Sequence, residues 1–215
     1  MGWGARWSMH TDTLTLMQWL SPAFPTGGFA YSHGLEWAMD HGVTSPARVS
    51  AWIRDVLRFG SGQSDAVLLA RALAPGADFA ALDNLARALC ASRERLVETV
   101  EQGTAFARTV SAVTGRDLPA RALPVAVGEA AQVLDLPKGQ IVAQYLAAFA
   151  GNLVAVATRF VPLGQTDGQR ILAGLSGLIS GLAEAALTAE IGTCALGADM
   201  AAMRHEGMDV RIFKT

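Results

Sequence analysis

Apolar positions recur along this chain at spacings of three and four, β-branched residues seldom alternate with polar ones, and alanine and leucine dominate. That pattern predicts helices throughout and no strand. Val49, Trp52, Ile53, Val56 and Leu57 form one stripe on a helix introduced by Ser45 as N-cap and Pro46 in the first turn, with Gly60 and Gly62 ending it. A helix from Ser64 to about Leu73 follows; Ala74-Pro-Gly76 then breaks the chain before another from Asp78 to near Cys90. Helical character returns from Ser92 to Val113, closed by Gly115, and a short helix after the Pro119 and Pro124 region runs to Leu134.

Pro137 opens a long helix ended by Pro162, on which Ile141, Tyr145, Phe149, Val156 and Phe160 share a face. Its apolar length invites comparison with a membrane span. However, Gln144, Asn152 and Arg159 fall within roughly 80° of one another at 100° per residue, a polar seam that argues for a buried helix in a water-soluble body. Thr166 and Gln169 have capping-box spacing before Ile171, Asp167 suits the helix dipole, and Leu163-Gly-Gln165 reads as a connector. Gly177 and Gly181 then allow close approach of another helix. A last helix is expected over Ala189 to His205, and Met208 to Thr215 looks extended and unanchored by its own pattern. Taken together, the elements predict an all-α, single-domain bundle of roughly eight to ten helices. Residues 1–11, with Trp3 and Trp7, form a loosely held extension; 12–207 form the helical body and 208–215 a tail.

Composition narrows the function. The 215 residues are 51% hydrophobic and 17% charged, enough for a dense core or for apolar surfaces that partners cover. Net charge is −2 with no basic block, which removes the electrostatic footprint of nucleic-acid binding. Cys90 and Cys194 stand alone, without a CxxC or Cys/His cluster, so neither a disulfide framework nor a zinc site is encoded and a reducing cytoplasm is the natural setting. Gln18, Ser21, Pro22 and Pro25 interrupt the apolar run from Leu14 that a signal peptide would need.

The stretch from Pro22 to Glu36 combines proline, glycine, aromatics and three polar groups. Ser32, His33 and Glu36 are a nucleophile, base and orienter by type, but neighbouring residues project apart and rarely reach triad geometry. The plainer expectation is a loop entering a helix with Ser32 as N-cap, Gly27 and Gly28 supplying unusual backbone angles, and Phe29 and Tyr31 packing. No lysine follows the glycines as a phosphate loop requires. His10, His33, His41 and His205 are scattered; His33 and His41 would face each other only on an unbroken helix, and a tight metal site needs three or four ligands. Arg93, Glu94, Arg95, Glu98 and Glu101 read as a solvated helix face. In the tail, Ile212 and Phe213 between Arg211 and Lys214 make a peg for a partner's groove or a frayed end in equal measure.

Two segments carry a family resemblance: Leu20-Ser-Pro-Ala-Phe-Pro-Thr-Gly-Gly-Phe-Ala-Tyr-Ser-His-Gly-Leu-Glu-Trp-Ala38 and Val161-Pro-Leu-Gly-Gln-Thr-Asp-Gly-Gln-Arg170. Both resemble the urease accessory protein F family, UreF, as do the stretch from Ser92-Arg-Glu-Arg to Gly103-Thr-Ala-Phe106 and the ending from Arg204-His-Glu206 through Arg211-Ile-Phe-Lys-Thr215. Departures are Ala30 where a serine is usual and the Arg-Ile-Phe-Lys-Thr ending in place of Arg-Leu-Phe-Arg-Ser, which keeps charge but loses guanidinium forks. The resemblance implies a non-enzymatic, cytoplasmic, dimerising scaffold that binds no cofactor tightly. Such a scaffold assembles with an accessory GTPase and a D/H accessory subunit to deliver nickel, in transit, to the urease apoprotein. It also implies partner-facing or dimer-facing roles for Tyr31, Ser32, His33, Gly34, Glu36, Gln165 and Arg170, and D/H-subunit contact for Arg211, Ile212 and Phe213. The alternatives are a soluble hydrolase using Ser32, His33 and Glu36, and a helical membrane protein.

Overall fold

A computed structural model describes the backbone of residues 3–214 and the side chains of residues 11–214. The described residues fold into helices α1 (Trp3–Trp19), α2 (Leu35–Asp40), α3 (Pro46–Phe59), α4 (Ser61–Ala72) and α5 (Phe79–Ala88), then α6 (Arg93–Thr114), α7 (Leu123–Ala131), α8 (Lys138–Phe160), α9 (Gln165–Ala186) and α10 (Leu196–His205). A 3-10 turn at Gly28–Ala30 interrupts the loop between α1 and α2. Strands are absent among the described residues, as the three-and-four periodicity predicts. What was expected of the Trp3 and Trp7 side chains and of the loosely held start falls outside the described side chains.

The capping chemistry places several starts as expected. Ser45 accepts from Arg48 N and Ser92 from Arg95 N, each satisfying an amide that the helix itself leaves open. Asp78 caps α5 by accepting from Ala81 N. Other boundaries move. Gly60, rather than a spacer after it, ends α3 and begins α4, so α4 starts at Ser61, not Ser64. Thr166 lies inside α9 and caps nothing: the N-cap is Gly164. The expected last helix from Ala189 forms only from Leu196, because the intervening chain pairs sideways, with Cys194 N donating to Phe59 O at 2.6 Å and Gln63 Nε2 to Glu190 O at 3.1 Å.

The core is organised around α8, whose buried Ile141, Tyr145, Leu146, Leu153 and Val156 join Val49, Ile53 and Leu57 of α3, Leu69 of α4, Phe106 of α6 and Leu175 of α9. By length and apolar composition α8 alone among the described helices resembles a membrane span, yet half of its most apolar window is buried inside the protein. That places it as a core helix, and Asn152 and Arg159 of its polar seam have a use described below. On α9 the packed side is Ile171, Leu175, Ile179 and Ala183. Gly177 and Gly181, expected to admit a close helix, face open space instead.

Candidate functional site

The unusual segment of residues 22–36 is buried from Tyr31 to Glu36, while Pro22, Ala23, Pro25 and Phe29 stand exposed. Asn152 Nδ2 on α8 donates to the carbonyls of Gly28 at 2.8 Å and Tyr31 at 3.3 Å, and Arg159 Nη2 donates to Phe29 O at 2.8 Å. Asn152 and Arg159, two of the three seam residues on α8, thus supply donors to the carbonyls of this loop. Tyr31, Ser32, His33, Gly34 and Glu36, expected on partner-facing or dimer-facing surfaces, are all buried.

His33 has φ +60 and Gly34 φ +75, two successive left-handed residues that turn the chain sharply into α2. Gly34 is the N-cap, displacing Ser32 from that role, although Ser32 Oγ still accepts from Glu36 N at 3.3 Å. A Cβ on Gly34 would stand 2.6 Å from Ala202 N, so the bare backbone is what lets α10 lie against the start of α2. The same turn separates His33 from His41. His33 is buried, whereas the His41 ring stacks on Trp37 at 3.9 Å, and the two do not share a helix face.

Two polar clusters follow. In the first, Glu36 accepts from the amides of Ile212 (2.7 Å) and Phe213 (2.9 Å), and its Oε2 lies 2.9 Å from His205 Nε2. The other ring nitrogen of His205 lies 2.7 Å from Glu94 Oε2, while Glu94 Oε1 accepts from Arg211 Nη1 at 2.6 Å. Lys214 N donates to Ala30 O, and its Nζ to Glu101, which also accepts from the Tyr31 hydroxyl. Burial and the Glu101 hydrogen bond push the Tyr31 phenol upward, holding it as a donor. The tail that looked unanchored is therefore tied down on both sides. Phe213 sits in the core with the Arg159 guanidinium 4.9 Å above its ring; Arg211 and Ile212 remain exposed.

In the second cluster, Arg95 pairs with Glu98 on α6, and His33 Nδ1 lies 3.1 Å from Glu98 Oε1 and 3.0 Å from Arg95 Nη1. His33 Nε2 lies 2.6 Å from Ser61 Oγ, and Tyr145 donates to Asp65 at 2.8 Å beside them. The face carrying Arg93 to Glu101, expected to be solvated, instead turns Arg95 and Glu98 inward. Burial raises Glu98, but the Arg95 charge and His33 outweigh it and bring its carboxyl down to about 2. Burial pushes Asp65 up to about 6 against the pull of Arg95, and burial with Arg95 lowers His33.

Ser32, His33 and Glu36 form no triad: Ser32 meets Glu36 N, Glu36 is taken by the tail and His205, and His33 turns to another serine. Ser61, His33 and Glu98 do have triad-like distances. Yet a guanidinium can only donate, so Arg95 competes with Glu98 for Nδ1; where it prevails, Nε2 holds the hydrogen and no base faces Ser61. The cavity beside Ser61 is also only about 40 Å³, water-sized rather than substrate-sized. Both clusters suit tethering of the loop and tail. Among the described residues no group of three metal-ligating side chains converges.

Sequence reasoning passed over Asp65 and gave Glu94, Arg95, Glu98, Tyr145 and His205 other roles, because each of them also meets a partner far along the chain. The second motif behaves oppositely to the first: Gln165 and Arg170 are exposed at the start of α9, Arg170 reaching only Asp167 at 2.8 Å.

Comparison with known proteins is consistent along the chain. The family model described as UreF matches residues 43–176. Relatives named urease accessory protein UreF include one from Cereibacter sphaeroides, 60% identical over 212 residues, spanning 96% of this chain and 100% of the relative. Another, from Paracoccus denitrificans, is 55% identical over 205 residues, spanning 94% of this chain and 95% of its own length. A third, from a Jannaschia species, is 51% identical over 206 residues, spanning 94% of each.

Proposed function

Since this chain belongs to the UreF family of urease accessory proteins, we propose that it is a non-enzymatic cytoplasmic scaffold that dimerises and assembles with the accessory GTPase and the D/H accessory subunit. That assembly delivers nickel to the urease apoprotein. The observation that carries this reading is a division of labour. The buried carboxylates, histidines and arginine hold the chain's own loop and tail, while apolar side chains are left outside on the last helix and the tail. Leu196, Met200 and Met203 recur at helical spacing on α10 and are exposed, as is Ile212. Arg211 and Ile212 are the tail residues on offer to the D/H subunit, with Phe213 anchoring them from inside. Gln165 and Arg170 present a second surface. The buried Tyr31, Ser32, His33, Gly34 and Glu36 serve partners indirectly, by fixing the tail's path. GTP chemistry belongs to the carrier, and nickel passes in transit without a tightly bound site here.

Urease activation in cells carrying the accessory set, with and without this chain, tests the reading through the nickel content of urease. The expected result without the chain is metal-poor, inactive urease, with the GTPase and D/H subunit co-purifying only when it is present. Normal nickel loading in its absence, or substrate turnover by the pure chain, would refute it.

A further inference from the structure

Between the end of α1, the loop at 26–29, α6 and α8 lies a cavity of about 220 Å³. A cavity of about 150 Å³ with apolar walls is enough to hold benzene. Trp19, Phe106, Val127, Phe149 and Leu153 supply apolar walls here, and Gln102 and Asn152 also line the space. Gln102 Nε2 donates to Glu98 Oε1 at 3.1 Å, and Asn152 Nδ2 donates to the Gly28 and Tyr31 carbonyls. Carboxylate and carbonyl oxygens can only accept, so both amides have a fixed orientation and each keeps its own oxygen uncommitted.

Gln102 is 8% exposed. Among the described residues, Trp52 Nε1 is the one sealed side-chain polar atom without a partner, so Gln102 Oε1 is not sealed, and the space it opens onto is this cavity. A Cβ on Gly28 would stand 3.3 Å from that oxygen; glycine there keeps the approach to it clear. The arginines lining the space are engaged elsewhere, Arg95 with Glu98 and His33, Arg159 with the Ala155 and Phe29 carbonyls and the Phe213 ring. Gln102 Oε1 thus faces the space with no protein donor on it, and an occupant that brings one gains a hydrogen bond there.

We propose that this cavity binds a small apolar molecule capped by a primary amine, its nitrogen donating to the Gln102 and Asn152 oxygens and its body lying on the aromatic wall. The site is independent of the maturation role. Isothermal titration of the full chain with benzylammonium, toluene and benzoate tests it. Benzylammonium is expected to bind, and benzoate, which brings no donor, to bind about 10-fold more weakly or not at all. Gln102→Leu should weaken benzylammonium about 10-fold while leaving toluene unchanged. Ala148→Phe, which fills the space from α8, should abolish binding of both probes, with circular dichroism confirming that each variant is folded. Absence of benzylammonium binding, equal binding of benzoate, an unchanged affinity in Gln102→Leu, or displacement of the amine by millimolar magnesium would each overturn the assignment.

Discussion

Segments 20–38 and 161–170 are the most unusual stretches of this chain, and they meet opposite fates. Residues 31–36 of the first are buried and spend their polar atoms on the chain itself; Gln165 and Arg170 of the second stand in solvent at the start of α9. An odd composition therefore marks a constraint without revealing whether it comes from folding or from a partner. In the first segment the constraint is internal, because left-handed backbone, a helix crossing and a carboxylate that takes two amides must all coexist.

The sharpest way to test that contrast is Glu36→Ala. Removing the carboxylate strands the amides of Ile212 and Phe213 and leaves one side of His205 unpaired, so a loss of about 3–5 kcal/mol is expected in denaturant unfolding. Gly34→Ala comes next, combining a left-handed backbone with a collision against α10, for about 2–4 kcal/mol by the same measurement. If either change were neutral, the first segment would not be a structural hub.

Asp65→Asn gives a smaller effect of opposite sign. Its folded carboxyl titrates near 6, above the unfolded range, so the folded state holds the extra proton and wild-type stability falls as pH rises between about 4 and 6. The variant is expected to gain about 1–3 kcal/mol at pH 7.5 and nothing at pH 4, read from urea midpoints across pH. Its neighbours run the other way. His33 is lowered, so its contribution is lost as pH falls below the usual histidine range. Glu98, held near 2, loses its contribution as pH falls from the usual carboxylate range toward 2.

Smallest in stability is the double change Gln165→Ala with Arg170→Ala, expected within about 0.5 kcal/mol of wild type because both residues are exposed. Its effect should appear instead as reduced recovery of accessory partners or of the dimer. Full recovery with unchanged stability would remove the second segment from the interface.

What could be read in the sequence was local. Helices α3, α5 and α6 were legible because Ser45, Asp78 and Ser92 cap amides a few residues ahead, and α8 because Pro137 opens a long run with one polar seam. The gap between α9 and α10 was not, since residues 187–195 are as apolar and alanine-rich as a helix and are diverted by contacts to Phe59 and Gln63. Nor was the inward turn of Arg95 and Glu98, whose spacing fits a wet surface equally well until His33 and Asp65 are brought against them. The tail's anchorage had no local signal at all, because Glu36 and Phe213 are 177 positions apart.

That separation has a consequence for biosynthesis. At about 5–20 residues per second, the amides that Glu36 needs are made roughly 10–35 s after it. The nascent chain must therefore carry an open, carboxylate-lined seat through most of its synthesis, and a product lacking residues 212 and 213 would keep that seat empty.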